Sequence, residues 1–241
     1  MLIIPAIDLK EGQVVRYRKG RMNKKVYSCD PVGVALGWQN QGAKLLHIVD
    51  LDGAMTGEQV NFPIIARIIK SLSIPVEVSG GIRDFRTMKK IIDKGAERIV
   101  IGTKAIEDSI FLKDAIKKFG KKICMGLDSS GGNKIGVDGW RRSIRINIKP
   151  LLMSLDRVHL KTIIFTDIKR DGTLEGMDIA RVRNILNATN IDVIVSGGVS
   201  ALSDVKKLVR LDRANLKGVI IGKALYENVF SLSEAIKCGQ D

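Results

Sequence analysis

Cysteine and histidine are scarce in this sequence. Its 241 residues include three cysteines, Cys29, Cys124 and Cys238, which are far apart and form no Cys-x-x-Cys motif. This odd number without motif spacing excludes a disulfide framework and predicts reduced thiols in a cytoplasmic protein. The two histidines, His47 and His159, do not have the spacing of metal ligands on a helix. We therefore expect packed or strand-end histidines and no metal site.

Long hydrophobic runs are also missing. No stretch approaches the roughly 18 uncharged apolar residues that a membrane span requires. The apolar segment Met1–Ile7 stops at Asp8 and has neither a basic leader nor a cleavage-like site. It is therefore predicted to be a buried strand rather than a secretory signal, and we expect no membrane partner.

Aromatic residues make up only 5% of the chain, although its formal net charge is +14. Such a charge can indicate nucleic acid binding, which would appear as salt-sensitive retention of DNA or RNA. However, the basic residues are spread over helix-like stretches such as Met88–Lys90 and Ala115–Lys118, and the aromatics are too few for a stacking platform. We expect a solvated basic surface and no nucleic acid partner. Such a surface can attract a polyanionic small substrate.

Short apolar runs alternate with amphipathic stretches along the whole chain. The strand-like runs are Leu2–Ile7, Leu45–Val49, Pro75–Val78, Arg98–Ile101, Ile123–Leu127, Thr162–Thr166, Asp192–Val195 and Gly218–Ile221. The helix-like stretches are Phe62–Ile69, Phe85–Lys94, Ile110–Lys118, Ile179–Leu186 and Val205–Val209. Eight strand–helix units predict the α/β class and a (β/α)8 TIM barrel, with residues 1–241 as one domain. No Gly-x-Gly-x-x-Gly follows the first strand, which disfavours a dinucleotide-binding sheet.

The two halves of the chain resemble each other. Val78-Ser79-Gly80-Gly81-Ile82 recurs 117 residues later as Val195-Ser196-Gly197-Gly198-Val199. Ile101-Gly102 recurs as Ile221-Gly222, and Ile7-Asp8 recurs as Leu127-Asp128, each 120 residues later. Three matches in the same order at a nearly constant offset predict a twofold half-barrel repeat.

Two aspartates follow strands that lie opposite each other in an eight-stranded barrel. Asp8 ends the first strand and Asp128 ends the fifth. Either one alone can be a helix cap. At symmetric positions on the catalytic rim, the pair favours acid–base chemistry on one bound substrate.

Glycine-rich turns predict two phosphate sites across the same rim. Their backbone N–H groups can surround an anion, although such turns are also used for tight geometry alone. The predicted binding residues are Gly80, Gly81, Gly102 and Thr103 in the first half, and Ser196, Gly197, Gly198, Gly222 and Lys223 in the second. Two facing sites indicate an elongated bisphosphorylated small-molecule substrate.

Further candidates lie beside these turns. Arg83 can hold a substrate anion or simply be exposed on the surface, and Thr166 can orient a substrate hydroxyl or the Asp128 carboxylate. Trp140 can stack on a planar heterocycle or simply anchor its loop. The segments Arg16–Lys25 and Ser129–Asn133 are predicted to be a flexible loop and a turn within an insertion. In a barrel, both lie on the catalytic face.

Several motifs resemble one family, the phosphoribosylformimino-aminoimidazole carboxamide ribotide isomerases of histidine biosynthesis. The resemblance extends from Met1 to about Tyr226. The motifs are Ile4-Pro5-Ala6-Ile7-Asp8-Leu9, His47-Ile48-Val49-Asp50-Leu51-Asp52-Gly53-Ala54, Ser79-Gly80-Gly81-Ile82-Arg83, Asp138-Gly139-Trp140 and Phe165-Thr166-Asp167-Ile168-Lys169-Arg170-Asp171-Gly172-Thr173.

The resemblance implies a cofactor-free Amadori rearrangement of an aminoaldose to an aminoketose. By motif position it implies that Asp8 is the general base and Asp128 the general acid, assisted by Thr166. It also places Asp171 and Gly172 among the substrate- and phosphate-binding residues. We expect a monomer.

Three other functions stay open at this point. The imidazole glycerol phosphate synthase cyclase subunit has a similar pattern, but typically with a Cys-Leu-Asp strand end where this chain has Ala6-Ile7-Asp8. A bifunctional isomerase that also acts on phosphoribosylanthranilate tends to carry an arginine where this chain has Asp138. A catalytically silent phosphate sensor would not need the paired carboxylates.

Overall fold

The computed structural model describes residues 1–18 and 22–240. Within this part of the chain the strands, in order, are β1 (Leu2–Lys10), β2 (Gln13–Arg18), β3 (Met22–Ser28), β4 (Leu46–Asp50), β5 (Val76–Ser79), β6 (Arg98–Ile101), β7 (Ile123–Gly131), β8 (Lys134–Val137), β9 (Arg142–Arg145), β10 (Thr162–Asp167), β11 (Asp192–Ser196) and β12 (Leu216–Ile221).

The α-helices of the described residues are α1 (Pro31–Asn40), α2 (Leu51–Thr56), α3 (Phe62–Ser71), α4 (Phe85–Asp93), α5 (Thr103–Glu107), α6 (Ser109–Phe119), α7 (Ile148–Arg157), α8 (Ile179–Asn187), α9 (Leu202–Val209), α10 (Lys223–Tyr226) and α11 (Leu232–Gln240). Several begin after an aspartate whose carboxylate accepts a backbone N–H of the first turn, as Asp84 does from Thr87 and Asp108 from Phe111. None of these helices is long and apolar enough to cross a membrane.

Eight parallel strands close into a barrel. Their order around it is β1, β4, β5, β6, β7, β10, β11 and β12, and β12 pairs with β1. Each of these strands overlaps one of the eight predicted runs, and only Leu45 and Pro75, the first residues of two runs, lie outside the strands. The predicted (β/α)8 barrel is therefore confirmed, and the strands that carry Asp8 and Asp128 lie opposite each other.

Apolar side chains fill both surfaces of the barrel wall. Inside the barrel, a cluster is formed by Ile4, Ala6, Leu45, Val100, Cys124, Ile164, Ile194 and Ile220. A larger cluster packs the outer surface of the wall against the helices and includes Ile7, Ile48, Val78 and Phe165. Burial on both faces explains why the strands read as continuous apolar runs rather than as an alternation.

Two antiparallel insertions stand on the carboxyl-end rim. After β1 the chain forms the hairpin β2–β3, and after β7 it forms the pair β8–β9. The prediction of a flexible loop at Arg16–Lys25 was wrong, because β2 and β3 pair there; its residues 19–21 lie outside the described residues. The predicted turn at Ser129–Asn133 is confirmed only for Gly132 and Asn133, which have positive φ between β7 and β8, whereas Ser129–Gly131 are the end of β7.

The predicted half-barrel repeat is visible in equivalent elements. β1 and β7 are each followed by an antiparallel pair, and β5 and β11 are each followed by two glycines of positive φ. β6 and β12 are each followed by a short helix, α5 and α10. The two halves therefore present similar turns around one rim.

Gly80 occupies a position that excludes a side chain. Its φ is +101°, and a Cβ atom there would overlap the backbone of Asp50. We expect Gly80→Ala to destabilise the protein by roughly 3 kcal/mol or more, because strain and backbone overlap add. The measurement is the urea-unfolding free energy. Gly37→Ala is the matched control, since Gly37 lies in α1 with open space around its Cβ position, and we expect no loss of stability. Equal losses for the two variants would contradict the account of Gly80.

Candidate active site

A cavity opens at the carboxyl ends of the barrel strands. Its empty volume is about 1340 Å3, open mouth included, which is enough for an elongated small molecule. A smaller cavity adjoins it, and both are lined by Arg16, Asp171, Ser196 and Ile220. Every predicted site residue lines one of the two. The larger is lined by Asp8, Gly80, Gly81, Arg83, Gly102, Thr103, Asp128, Trp140, Thr166, Asp171 and Ser196. The smaller adds Gly172, Gly197, Gly198, Gly222 and Lys223.

Asp8 and Asp128 face this common cavity in different surroundings. Asp8 Oδ2 forms an ion pair with Arg16 Nη1 at 2.7 Å. Asp128 Oδ2 accepts a hydrogen bond from Trp140 Nε1 at 2.7 Å. Burial raises the pKa of Asp128, and hydrogen bonds from Trp140 and Thr166 only partly oppose this rise. The first carboxylate is thus paired with a cation, whereas the second is favoured to hold a proton.

Asp171 is a third carboxyl group of the same cavity. Burial, together with the like charges of Asp8 and Asp128, raises its pKa to about 7, against the opposing charges of Arg16 and Lys223. The protonated and ionised forms of Asp171 are therefore both accessible near neutral pH.

Asp171→Asn is expected to raise the stability of the protein at pH 8. The pKa of Asp171 rises from the ordinary 3.8 to about 7 on folding, so its favourable contribution is complete below about pH 4 and is lost as the pH rises through about 7. Asparagine stays neutral and avoids that loss. Since the side chain is only partly buried, we expect a gain of about 1–2 kcal/mol at pH 8 and close to none at pH 4. Urea unfolding at both pH values measures it, and a pH-independent difference would contradict this account.

The turns at the two ends of the cavity have the backbone geometry expected for anion binding. Gly80 and Gly81 have φ values of +101° and +69°, and Gly197 and Gly198 have +90° and +94°. Such left-handed residues direct N–H groups into a concave turn. In each half, a helix begins after Gly102 or Gly222, and its first residue lines the same cavity as the glycine turn of that half.

Side-chain cations lie at both ends. At the first, Arg83 reaches Asp138 Oδ1 at 3.5 Å and remains partly exposed to the cavity. At the second, Lys223 Nζ donates to Gly172 O at 2.9 Å, and the guanidinium of Arg16 lies against Gly222. Each end thus combines glycine backbone with a positive side chain.

The β8–β9 insertion connects the second half of the barrel to the first. Thr103 Oγ1 accepts the Asp138 N–H at 2.8 Å, and Arg141 Nη2 donates to Met55 O at 2.6 Å. The turn that holds Trp140 has three successive residues of positive φ, from Asp138 to Trp140. This turn directs the indole N–H to Asp128 from above the cavity.

The model of the family described as "Histidine biosynthesis protein" matches residues 2–231. The chain belongs to this family. It is 43% identical to a protein of Desulforudis audaxviator (strain MP104C) over 98% of this chain and 90% of that protein. It is 41% identical to a protein of Clostridium botulinum (strain Hall) over 98% of this chain and 97% of that protein. Both are named 1-(5-phosphoribosyl)-5-((5-phosphoribosylamino)methylideneamino)imidazole-4-carboxamide isomerase.

A third relative with the same name, from Prochlorococcus marinus (strain MIT 9211), is 43% identical over 98% of this chain and 93% of its own length. Membership of the histidine biosynthesis family confirms the resemblance found in the sequence motifs. None of these three names favours the cyclase or the bifunctional alternative.

The site of this histidine biosynthesis family member contains residues that sequence reasoning missed. Arg16 was placed in a loop without a role, although its position eight residues after Asp8 in an insertion of the rim was a usable signal. His47 is buried in β4, as expected of a packed residue, but sequence reasoning missed that its ring lines the cavity and contacts the buried Glu77. Among the described residues, no group of three or more His, Cys, Asp or Glu side chains is placed to hold a metal ion.

Proposed function

We propose that this chain catalyses the isomerisation for which its relatives are named. The substrate would be a phosphoribosylated imidazole carboxamide that carries a second phosphoribosylamino group. The reaction would be an Amadori rearrangement, in which the aminoaldose becomes an aminoketose, within histidine biosynthesis.

The observation that carries this proposal is the shared cavity of Asp8 and Asp128 between two ends lined by glycine turns and cationic side chains. A substrate with a phosphate at each end would be held at the two glycine turns. Its reacting ribose would then lie at the middle of the cavity, between opposite strands. General acid–base catalysis needs this arrangement, with one group on each side of the reacting carbon atoms.

The acid role falls to Asp128 and the base role to Asp8. Asp128 gives its proton to the ribose ring oxygen, the C1′–O bond breaks, and the lone pair of the substituent nitrogen forms the C1′=N bond. Asp8 then removes the proton at C2′, giving an enolamine that tautomerises to the ketose. Opposite environments support this division, because a buried carboxyl group keeps its proton while an ion-paired one is ready to accept.

The resting contacts of the site must change when the substrate binds. Arg16 forms an ion pair with the Asp8 carboxylate, and the indole N–H of Trp140 donates a hydrogen bond to the Asp128 carboxylate. A bound phosphate beside Gly222 offers Arg16 a second anionic partner, and a planar imidazole carboxamide offers Trp140 a stacking surface. Substrate binding would thereby free both carboxylates for chemistry.

The experiment that tests this function measures conversion of the aminoaldose to the aminoketose. The purified chain is incubated with the aminoaldose, without added metal or nucleotide, and the aminoketose is followed by chromatography. We expect turnover without further components. If the aldose is not converted, while the ketose gives ammonia-dependent imidazole formation, the function is that of the cyclase.

We further propose that the chain acts as a monomeric single-domain enzyme of the cytoplasm without a nucleic acid partner. Both carboxylates and both anion-binding ends come from one chain, so the site needs no second copy. The free thiols of Cys29, Cys124 and Cys238 suit a reducing compartment. Light scattering of the purified protein tests the monomer.

A further inference from the structure

A row of three ionisable side chains crosses the barrel interior beneath the cavity. His47, Glu77 and Arg98 are neighbours in register on the adjacent strands β4, β5 and β6. His47 Nδ1 lies 2.9 Å from Glu77 Oε1, and Arg98 donates to Glu77 Oε2 from Nη2 at 2.6 Å and from Nε at 3.1 Å. The row therefore extends from the floor of the cavity towards the opposite end of the barrel.

Glu77 is fully buried among apolar side chains. Burial by itself would raise the pKa of Glu77, but the hydrogen bonds and charges of His47 and Arg98 outweigh it and hold the pKa below its ordinary range. Glu77 is therefore a carboxylate, and each of its oxygens has a different partner. A barrel interior gains no clear stability from a buried ionic group relative to apolar packing, so its presence beneath a catalytic cavity calls for a functional reason.

The carboxylate fixes the state of the histidine ring. Because Glu77 Oε1 can only accept a hydrogen bond, Nδ1 of His47 carries the hydrogen. Among the described side chains, Nε2 has one hydrogen-bond contact, to Ser79 Oγ at 3.5 Å, and that hydroxyl also lies 3.2 Å from Ile48 O. Nε2 is thus a weakly engaged atom of a ring that lines the cavity.

The position of His47 relative to Asp8 indicates which group of the substrate its ring can reach. His47 pairs with Ala6 on the neighbouring strand, two residues before Asp8 and on the same face of that strand. The ring therefore lies one layer deeper than the Asp8 carboxylate. If Asp8 takes the C2′ proton, the hydroxyl on the same carbon atom is the substrate group within reach of the His47 ring at the floor of the cavity.

We propose that His47 is a catalytic residue whose Nε2 accepts a hydrogen bond from the C2′ hydroxyl and takes its proton as the ketone forms, with Glu77 and Arg98 as positioning residues. This inference rests on the proposed isomerase function. It adds a third proton-transfer group to the two aspartates.

The step balances as follows. After Asp8 has taken the C2′ proton, the enolamine holds a C1′=C2′ double bond and the C2′ hydroxyl. The O–H bond breaks, its electron pair forms C2′=O, and the C1′=C2′ pair takes the proton of Asp8 at C1′. The hydroxyl proton passes to His47 Nε2 and from there to Asp128, which donated its own proton when the ring opened. All three groups return to their starting states.

The kinetic test compares three variants of the full chain. We expect His47→Gln to lower kcat by about 100-fold and Glu77→Gln by about 10-fold, each with KM within about threefold of the wild type. His159→Asn is the matched control, because His159 is the other histidine of the sequence, is exposed and tolerates an asparagine at its φ of +60°. It should retain wild-type kcat. A His47→Gln variant with near wild-type kcat would overturn the proposal.

A spectroscopic test does not depend on how the buried variants fold. The His159→Asn protein has a single imidazole, so its two 15N resonances belong to His47. We expect the Nδ1-protonated tautomer and a change of the Nε2 resonance when the aminoketose product is added. A ring protonated only at Nε2, or an Nε2 resonance that ignores saturating product, would overturn the proposal. If the wild type itself fails to convert the aminoaldose, the proposed function fails instead, so the two failures are distinguishable.

Discussion

Asp8→Asn is expected to lower kcat by about 10³- to 10⁴-fold, the largest effect of any substitution in this chain. Asparagine has nearly the same size and keeps an oxygen for Arg16, but it cannot take the C2′ proton. The two glycine-lined ends proposed to bind the phosphates are untouched, so the substrate should bind with a Kd within a few-fold of the wild type. Steady-state turnover and equilibrium binding of the aminoketose measure the two quantities separately.

The control for Asp8→Asn is Asp93→Asn. Asp93 also forms an ion pair, with Lys89 at 2.7 Å, but on the exposed face of α4. The loss of such a surface pair costs about 1 kcal/mol or less and should leave kcat unchanged. Near-normal turnover in Asp8→Asn would remove Asp8 from the base role, and loss of binding together with turnover would assign it to substrate holding.

Asp128→Asn is expected to lower kcat by about 10²- to 10³-fold, because the ring oxygen loses its proton donor. The amide oxygen can still accept the Trp140 N–H, so the insertion above the cavity should keep its place. The smaller expected loss reflects the proximity of Asp171, which holds a proton near neutral pH and can supply part of the acid function. Single-turnover conversion of the aminoaldose measures this step.

The comparison variant for Asp128→Asn is Asp171→Asn. If Asp128 is the acid, its replacement should cost more than that of Asp171 at pH 6 to 8. The reverse order, with Asp171→Asn as damaging as Asp8→Asn, would transfer the acid role to Asp171. Asp128 lies in β7 and Asp171 in the segment after β10, so a mixed result cannot come from the collapse of one loop.

Burying three carboxyl groups in one cavity is electrostatically unfavourable, and this cost explains several of these contacts. Burial raises the pKa of both Asp171 and Asp128, and the like charges of Asp8 and Asp128 raise that of Asp171 further. The cations Arg16 and Lys223 offset part of the repulsion, and both also line the smaller cavity, where we propose that a phosphate binds. The same positive charges would therefore stabilise the empty site and bind the substrate, which links stability at neutral pH to the anionic ligand.

The barrel could be predicted from local sequence because burial is encoded locally. A strand buried on both faces must be apolar along its length, and runs such as Arg98–Ile101 and Thr162–Thr166 carry that pattern without reference to the rest of the chain. The repeated Ser-Gly-Gly motifs were equally readable, since a tight turn that combines positive φ with close packing of its backbone favours glycine. Asp8 and Asp128 followed from strand order, because opposite strands of an eight-stranded barrel share one rim.

The strands of the two insertions could not be predicted, because their sequences lack such a pattern. Met22–Ser28 and Arg142–Arg145 are largely polar, and they are strands only because a neighbouring strand satisfies their backbone N–H and C=O groups. The pairing that forms β3 and β9 is thus a property of the assembled rim rather than of either segment.

The sequence alone determined the barrel, its internal repeat, the opposed aspartates and the two glycine-lined ends, since each depends on local hydrophobicity, backbone conformation or strand order. The tertiary structure alone decided which charges meet. The Arg16–Asp8 pair, the raised pKa of Asp171 and the contacts of His47, Glu77 and Arg98 depend on strand register and on the depth of each group below the surface. Coulomb energies and desolvation vary steeply over a few ångströms, and those distances are fixed only when separate strands come together.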